Sequence, residues 1–307
     1  MHFRSLDLNL LVALDALLTE CNITQAGKRV YLTQSAMSGA LARLREYFHD
    51  ELLVQVGRKM VPTPLGQSLA KPVRDILLQI QATLQTRPTF DPATAERRFT
   101  LMMSDYVASV LMPDLLRHIE PLAPQVQIVI VSNDVESPAE ALARGDVDFL
   151  IMPEQFLAPG HPWAPLFEDT YVCIASSDHP QIGDTITLDQ YLSLGHVAVR
   201  FNQSRNPAVE EFMIRRLGHV RRIEVFATTF SSVPALIVGT RRIATVHRRI
   251  AERYAKILPL KILPAPLELP PLIERIQWHQ YLDADPSMMW MREQLTAIAA
   301  RLGAAAP

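Results

Sequence analysis

A chain of 307 residues exceeds what one compact core needs and fits two or three units. With 49% hydrophobic and 20% charged residues it has the balance of a globular protein, not of a disordered tail. No apolar run approaches the roughly 20 residues that span a bilayer. Met1-His2-Phe3-Arg4 lacks the apolar core of an export signal. No membrane partner and a cytoplasmic location are therefore expected. Cys21 and Cys173 stand far apart in no paired motif, which predicts reduced core thiols, neither a disulfide nor a metal site.

The formal charge of -2 conceals an asymmetry. Between Thr24 and Arg74, Lys28, Arg29, Arg43, Arg45, Arg58, Lys59, Lys71 and Arg74 outnumber Glu46, Asp50 and Glu51, so the remainder is acidic. A basic block beside an acidic remainder suggests that one end meets a polyanion.

In chain order, Asp7 is placed to cap a helix whose apolar residues recur at Leu10, Leu11, Leu14, Leu17 and Leu18. Asn22 caps a second, with Ala26 and Val30 inward. Tyr31 to Ser35 is a tight connection, and a third helix runs from about Ser35 to Phe48. This is a helix-turn-helix order. On the third helix Ala36, Met37, Ala40, Leu41, Leu44 and Phe48 form the inner stripe. Ser35, Ser38, Gly39, Ala42 and Arg43 form an opposite face without bulk, able to enter a major groove.

Leu52 to Val56, the basic turn Gly57-Arg58-Lys59 and Met60-Val61-Pro62 read as a hairpin wing whose charges meet phosphate. Thr63 caps a long helix with Pro64 at its first position. Its stripe of Leu65, Leu69, Val73, Leu77, Ile80 and Leu84 asks for a second copy, and Pro72 is expected to bend it. Thr86 to Ala95 reads as a linker.

From Arg98 the pattern changes to α/β. Strands are expected at Phe99–Met103, Gln127–Val131, Gly145–Met152, Tyr171–Ala175, His196–Phe201, Arg222–Ala227, Ile243–Val246 and Ile273–His279, with a last helix from Pro286 to Leu302. Strand–helix–strand order predicts parallel sheets covered on both faces, in two lobes crossed twice. Ligands of such folds bind at the carboxyl ends of strands, between lobes.

Three segments carry a family resemblance: Leu6-Asp7-Leu8-Asn9-Leu10-Leu11, Leu32-Thr33-Gln34-Ser35-Ala36-Met37-Ser38 and Pro62-Thr63-Pro64-Leu65-Gly66. At these mutual spacings they resemble the DNA-binding domain of LysR-type transcription regulators. Ser35 stands where that family usually has proline, and Gln55 where many members place a wing arginine. The alternating second half resembles the family's effector domain, which shares its fold with periplasmic binding proteins.

The resemblance implies an α/β chain with an all-α-dominated N-terminal domain. A winged helix-turn-helix occupies 1–63 and a linker and dimerisation helix with hinge 64–95. A two-lobed periplasmic-binding-protein-like effector domain fills 96–307, with lobe I at about 96–165 and 268–307 and lobe II at about 166–267. The expected DNA-binding residues are Thr24, Thr33, Gln34, Ser35, Ser38, Gly39, Ala42, Arg43, Arg58, Lys59 and Thr63. The expected effector-binding residues are Ser104, Asp105, Asn133, Asp134, Asp169, Phe201, Asn202, Thr228, Phe230, His247 and Arg249.

Glu154, Gly195-His196-Val197, Trp278 and Met289-Trp290-Met291-Arg292 look similar to flavonoid-responsive nodulation regulators and to regulators of salicylate and chlorinated-aromatic degradation. That branch implies a small aromatic effector, with Phe201, Phe226 and Phe230 beside Arg249 as its lining. The expected partners are double-stranded promoter DNA, that effector, RNA polymerase and a second copy in a homodimer or tetramer, with no cofactor. An enzyme is disfavoured by the lack of a Gly-rich phosphate loop, a nucleophile elbow or paired metal-spaced histidines. A plain solute-binding module would leave the first ninety residues without a purpose.

Overall fold

The computed structural model describes residues 7–85, 89–133, 137–201 and 209–304. They form two compact units, Met1–Thr86 and Arg87–Pro307.

The first unit opens with α1 (Asn9–Glu20), whose Leu10, Leu11, Leu14, Leu17 and Leu18 are all buried. Asp7 accepts the Asn9 N–H at 2.9 Å. α2 (Ile23–Arg29) is capped by Asn22, which accepts from Thr24 and Gln25. α3 (Gln34–Phe48) is capped by Thr33 and buries Met37, Ala40, Leu41 and Leu44. Ala36, expected in that stripe, is exposed, because the first turn of α3 extends past the helices that cover the rest.

The wing is the antiparallel pair β1 (Leu53–Val56) and β2 (Lys59–Pro62). Gly57, first of its two turn residues, has φ +63°, the conformation a tight hairpin requires. Arg45 of α3 anchors the wing, donating to the Glu51 carbonyl at 2.9 Å and the Leu53 carbonyl at 2.8 Å.

α4 (Pro64–Gln85) runs unbroken through Pro72. Gly66 is needed where it is: a Cβ there would lie 2.4 Å from the Leu52 carbonyl oxygen. Leu65, Leu69, Val73 and Leu77 pack into the same core as α1. The stripe read as a seam for a second copy thus belongs, over its first three turns, to the unit itself. Arg74 reinforces this contact through Asp15 at 2.9 Å and Thr19 at 2.5 Å. Ile76 and Ile80 remain exposed, and the side chain of Leu84 lies outside the described residues.

The second unit holds two five-stranded sheets. The first has the order β4 (Gln127–Ser132), β3 (Arg98–Met103), β5 (Phe149–Pro153), β12 (Leu272–Trp278), β6 (Trp163–Asp169). Around it lie α5 (Asp105–Ile119), α6 (Pro138–Ala143) and α11 (Pro286–Ala304). The second has the order β11 (Leu260–Pro264), β7 (Tyr171–Ser176), β10 (Arg242–His247), β8 (Gly195–Val199), β9 (Arg222–Ala227). With it run α7 (Leu188–Ser193), α8 (Val209–Arg216), α9 (Val233–Ile237) and α10 (Arg248–Ala255).

Both sheets are mixed, which corrects the expectation of parallel ones. β12 runs antiparallel to β5 and β6, and β7 antiparallel to β10 and β11. The reason is topological. β7 and β12 are the strands by which the chain enters one lobe from the other, so each starts where its neighbours end.

Two strands, β6 and β11, have no counterpart among those expected. β6 moves the first crossing to Thr170, between Asp169 and Tyr171, so residues 166–169 belong to the first lobe and not the second. One hydrophobic core runs continuously from Phe99, Leu101 and Tyr106 through Tyr171, Ile174 and Val246 to Ile276 and Met291. Among the described residues no helix is long and apolar enough to cross a membrane.

Candidate nucleic-acid interface and ligand cleft

On α3 the two faces separate as the pattern requires. Gln34, Ser35, Ser38, Gly39, Ala42 and Arg43 are exposed, opposite the buried Met37, Ala40, Leu41 and Leu44. Thr33 is exposed at the cap, its hydroxyl 3.0 Å from that of Ser35. Thr24 is exposed on α2, and Arg58 and Lys59 are exposed at the wing turn. Gln55 braces that turn by donating to the Gly57 carbonyl at 3.1 Å.

Thr63 does something different from the others expected beside it. Its hydroxyl donates to Asp50 at 2.6 Å and accepts the Gly66 N–H at 3.0 Å, fixing the wing to the start of α4. The bonds from Thr63 and Leu52 hold the Asp50 carboxyl below its usual range. Burial pushes the Cys21 and Cys173 thiols up, the latter to about 12, so both stay protonated.

In the second unit the expected cleft residues meet where the chain crosses between lobes. Ser104 is buried as the cap of α5, accepting the Val107 N–H at 3.2 Å. Asp105 spans the lobes: its carboxylate accepts the backbone N–H of Phe230 at 3.0 Å and of Ser231 at 2.7 Å. Asp169 accepts from the Tyr106 hydroxyl at 2.5 Å, the Thr170 N–H at 2.7 Å and the Arg249 N–H at 3.2 Å. Burial raises its pKa despite those bonds. The Arg249 guanidinium lies 4.0 Å from the Asp169 carboxylate and donates to the Glu168 carbonyl at 3.4 Å.

Rings enclose this polar knot. His247, last residue of β10, stacks on Tyr106 with centroids 4.1 Å apart. Phe230 lies 4.8 Å away and Tyr171 5.1 Å away. Phe201 meets Phe230 edge-on at 5.9 Å. Burial lowers the His247 pKa to about 3, so its ring is neutral. Glu274 is buried to 2% exposure, and desolvation raises its carboxyl to about 8. Desolvation, with Glu210, Glu274 and Asp169 adding to it, also pushes the Tyr171 hydroxyl up.

Among the described residues, four buried polar atoms here have no hydrogen-bond partner: Tyr171 Oη, His247 Nδ1, Arg249 Nε and Glu274 Oε2. Such atoms are costly unless something satisfies them. Asn133, at the end of β4, instead bonds through its amide nitrogen to the Met152 sulfur at 3.4 Å.

One expectation changes. Phe226 is 46% exposed beneath the Arg200 guanidinium, 3.5 Å from its centroid, and does not join Phe201 and Phe230. Alternation along β9 turns it to the outer face. Thr228 is exposed. Asp134 and Asn202 lie outside the described residues.

Tyr106, Tyr171 and Glu274 were not foreseen. Glu274 carried a signal, since on β12 it occupies the inward register between Leu272 and Ile276. Among the described residues no group of three His, Cys, Asp or Glu side chains is placed to hold a metal ion.

Comparison with known proteins adds the family. Residues 8–67 match the bacterial regulatory helix-turn-helix protein of the lysR family, and residues 92–300 the LysR substrate binding domain. The chain is 45% identical over 297 residues to nodulation protein D 2 of Rhizobium tropici, covering 96% of this chain and 93% of that protein. It is 43% identical over 305 residues to nodulation protein D 1 of Bradyrhizobium elkanii, covering 99% and 97%.

Among solved structures, a transcriptional regulator from Pseudomonas aeruginosa matches with TM-score 0.66 and 32% identity, over 96% of this chain and 97% of that one. Full-length OxyR from the same organism shares the fold at TM-score 0.73 and 15% identity, over 97% and 95%. The two family segments follow one another in chain order and together cover most of the sequence, and the chain belongs to the LysR family of DNA-binding transcriptional regulators, with an effector-binding domain.

Proposed function

We propose that this regulator holds promoter DNA through the exposed face of α3 and the wing, and that an uncharged, hydroxylated aromatic molecule bound at the lobe crossing controls it. Gln34, Ser38 and Arg43 reach base edges or nearby phosphates, and Arg58 and Lys59 neutralise phosphate in the flanking groove. The chain acts in the cytoplasm as a homodimer or tetramer and engages RNA polymerase when it activates. Ile76 and Ile80, one turn apart on the exposed side of α4, form the seam with a second copy. That seam sets two recognition helices about 34 Å apart. Leu77 is not part of it.

The observation that carries the effector reading is the set of buried polar atoms without a partner among the described residues, Tyr171 Oη, His247 Nδ1, Arg249 Nε and Glu274 Oε2, beside the rings of Tyr106, Phe230 and His247. A hydroxylated aromatic offers a flat apolar body and polar edges to such a lining. Charge disfavours an anion. Asp169 is buried here, and the one arginine among these groups, Arg249, already lies against it. A carboxylate ligand would bring a further negative charge into low dielectric.

A ligand gripped by both lobes favours one inter-lobe angle and shifts promoter binding through differential affinity. Calorimetry with a hydroxyflavone and with salicylate tests this. The expected result is binding of the flavone, weakened at least tenfold by Tyr171→Phe combined with Glu274→Leu. Tighter binding of salicylate than of the flavone, or flavone binding indifferent to those changes, would overturn it.

A further inference from the structure

The turn that delivers α3 contains a residue that local physics disfavours. α2 ends in a complete Schellman arrangement: the Tyr31 N–H donates to the Lys28 carbonyl and the Leu32 N–H to the Gly27 carbonyl, the latter at 2.8 Å. The residue that closes such a motif adopts the left-handed conformation, and glycine or asparagine usually fills it. Here it is Tyr31, with φ +58°.

The other non-glycine residues in that region have reasons to tolerate it. Leu52 is fully buried, Cys21 bonds through its thiol to the Leu18 carbonyl, and histidine, as at His49, is among the residues enriched there. Tyr31 has no such support. Its side chain is 96% exposed, and among the described residues it has no ring contact or hydrogen bond. The chain therefore strains its backbone to hold an aromatic ring in water, beside Leu32, itself 43% exposed. A bulky residue in a left-handed position is a pointer to function when packing does not explain it.

What lies next to it selects the partner. Tyr31 sits two residues before Thr33, the cap of α3, and directly precedes the exposed run Leu32, Thr33, Gln34 and Ser35. The surface is continuous with the face that the family's function turns toward DNA. Tyrosine combines a flat apolar body, suited to a deoxyribose, with one hydroxyl donor, suited to a phosphate oxygen.

We propose that Tyr31 is a DNA-contact residue, its ring laid along the backbone sugar beside the α3 groove and its hydroxyl donating to a phosphate. The assignment rests on the groove-facing reading of α3 and adds to it a contact from the turn. It fixes the helix's entry and is blind to base sequence.

The contact and the strain predict effects of opposite sign, which separates them from an ordinary structural role. The probe is a duplex selected from a random-sequence pool for binding to the full-length wild-type chain, read by fluorescence anisotropy. Tyr31→Gly should raise the melting temperature of the first unit by about 4 °C, because glycine meets the left-handed position without cost. The same variant should bind the duplex at least tenfold more weakly. Tyr31→Phe keeps the ring and the strain and should weaken binding about fivefold for the lost donor. Its salt dependence should stay unchanged, since the hydroxyl carries no charge.

Arg43→Ala runs beside them. Wild-type affinity in both tyrosine variants with weakened binding in Arg43→Ala overturns the Tyr31 contact and leaves the α3 reading intact. Wild-type affinity in all three overturns both. A lowered melting temperature in Tyr31→Gly also overturns the proposal, since the ring would then be holding the unit together. If both tyrosine variants bind this duplex normally but lose capture of a protein partner, the exposed ring serves that partner and the DNA contact is refuted.

Discussion

The face of α3 and the lobe crossing treat polar groups in opposite ways. On α3, Gln34, Ser35, Ser38 and Arg43 are exposed to water until a partner displaces it. At the crossing, Asp169, His247 and Glu274 are buried to 5% exposure or less, and several polar atoms around them lack partners. The first surface gives up little to stay open, and its binding energy comes from charge and groove shape. The second stores an unmet hydrogen-bonding demand within a packed core, so a small ligand with matching groups can alter the lobes themselves. One region is built for a large polyanion, the other for a small molecule that becomes part of the interior.

Removing a central polar partner at the crossing should have the largest effect. Asp169→Ala strips the acceptor from the Tyr106 hydroxyl and the Arg249 N–H, and leaves the half-buried Arg249 side chain without its acid. A loss of about 3 kcal/mol in the second unit is expected. Urea unfolding monitored separately in each unit checks it. A change under about 1 kcal/mol would mean that the knot is not what holds the lobes together.

The DNA face should respond quite differently. Replacing Arg58 and Lys59 together with alanine should leave unfolding within about 0.5 kcal/mol of wild type, since both are exposed at the turn. Duplex binding should weaken and its salt dependence flatten by about one unit per lost phosphate contact. An unchanged slope would remove the wing from the interface.

Acidity distinguishes the regions further. Glu274 titrates at about 8 when folded against an ordinary 4.5. The unfolded chain therefore releases this proton first, and stability falls as pH rises from about 4.5 to about 8. His247 is lowered from 6.5 to about 3, so the unfolded state takes up the proton first and stability falls as pH drops through that interval. Glu274→Gln should shrink the alkaline decline to the part that Glu210, raised by burial to about 7, contributes, and should leave the acid limb, which thermal melts of the second unit between pH 4 and pH 8 would read. Asp50 acts with the opposite sign to Glu274: its lowered pKa means that the wing junction loosens only as acid protonates it.

The two regions also differ in how far the sequence discloses them. The α3 face is local: its residues recur at helical spacing, so small side chains opposite Met37, Ala40, Leu41 and Leu44 can be read along one stretch. The crossing draws on residues from Tyr106 to Glu274, and spacing does not report such distances. Ser104, Asp105, Asp169 and His247 are legible because they end strands or begin helices. Tyr106 and Tyr171 were not, since each reads as one more apolar core residue.

β6 escaped because Pro165 and the acids Glu168 and Asp169 interrupt its apolar pattern, and its pairing with β12 spans over a hundred residues. That missed strand carried the misplaced crossing with it. The α4 stripe shows a related limit. One apolar stripe cannot say whether α1 or a second copy covers it.

The smallest expected effect tests where the aromatic lining ends. Phe226 and Phe230 lie four residues apart and are equally apolar, yet Phe230 is 7% exposed and Phe226 46%. On β9 the inward and outward positions alternate, so Phe226 points out and receives Arg200 on its face at 3.5 Å. Phe230 lies beyond the strand, where the backbone bonds to Asp105 turn it toward Tyr106 and His247. Phe226→Ala should therefore cost only the exposed cation–π contact, about 0.5–1 kcal/mol, and leave flavone affinity within twofold of wild type. Phe230→Ala should cost several times more, about 3 kcal/mol, and should reduce that affinity. If Phe226→Ala weakens flavone binding as much as Phe230→Ala does, the ligand reaches across the outer edge of β9, and the buried crossing would no longer bound the site.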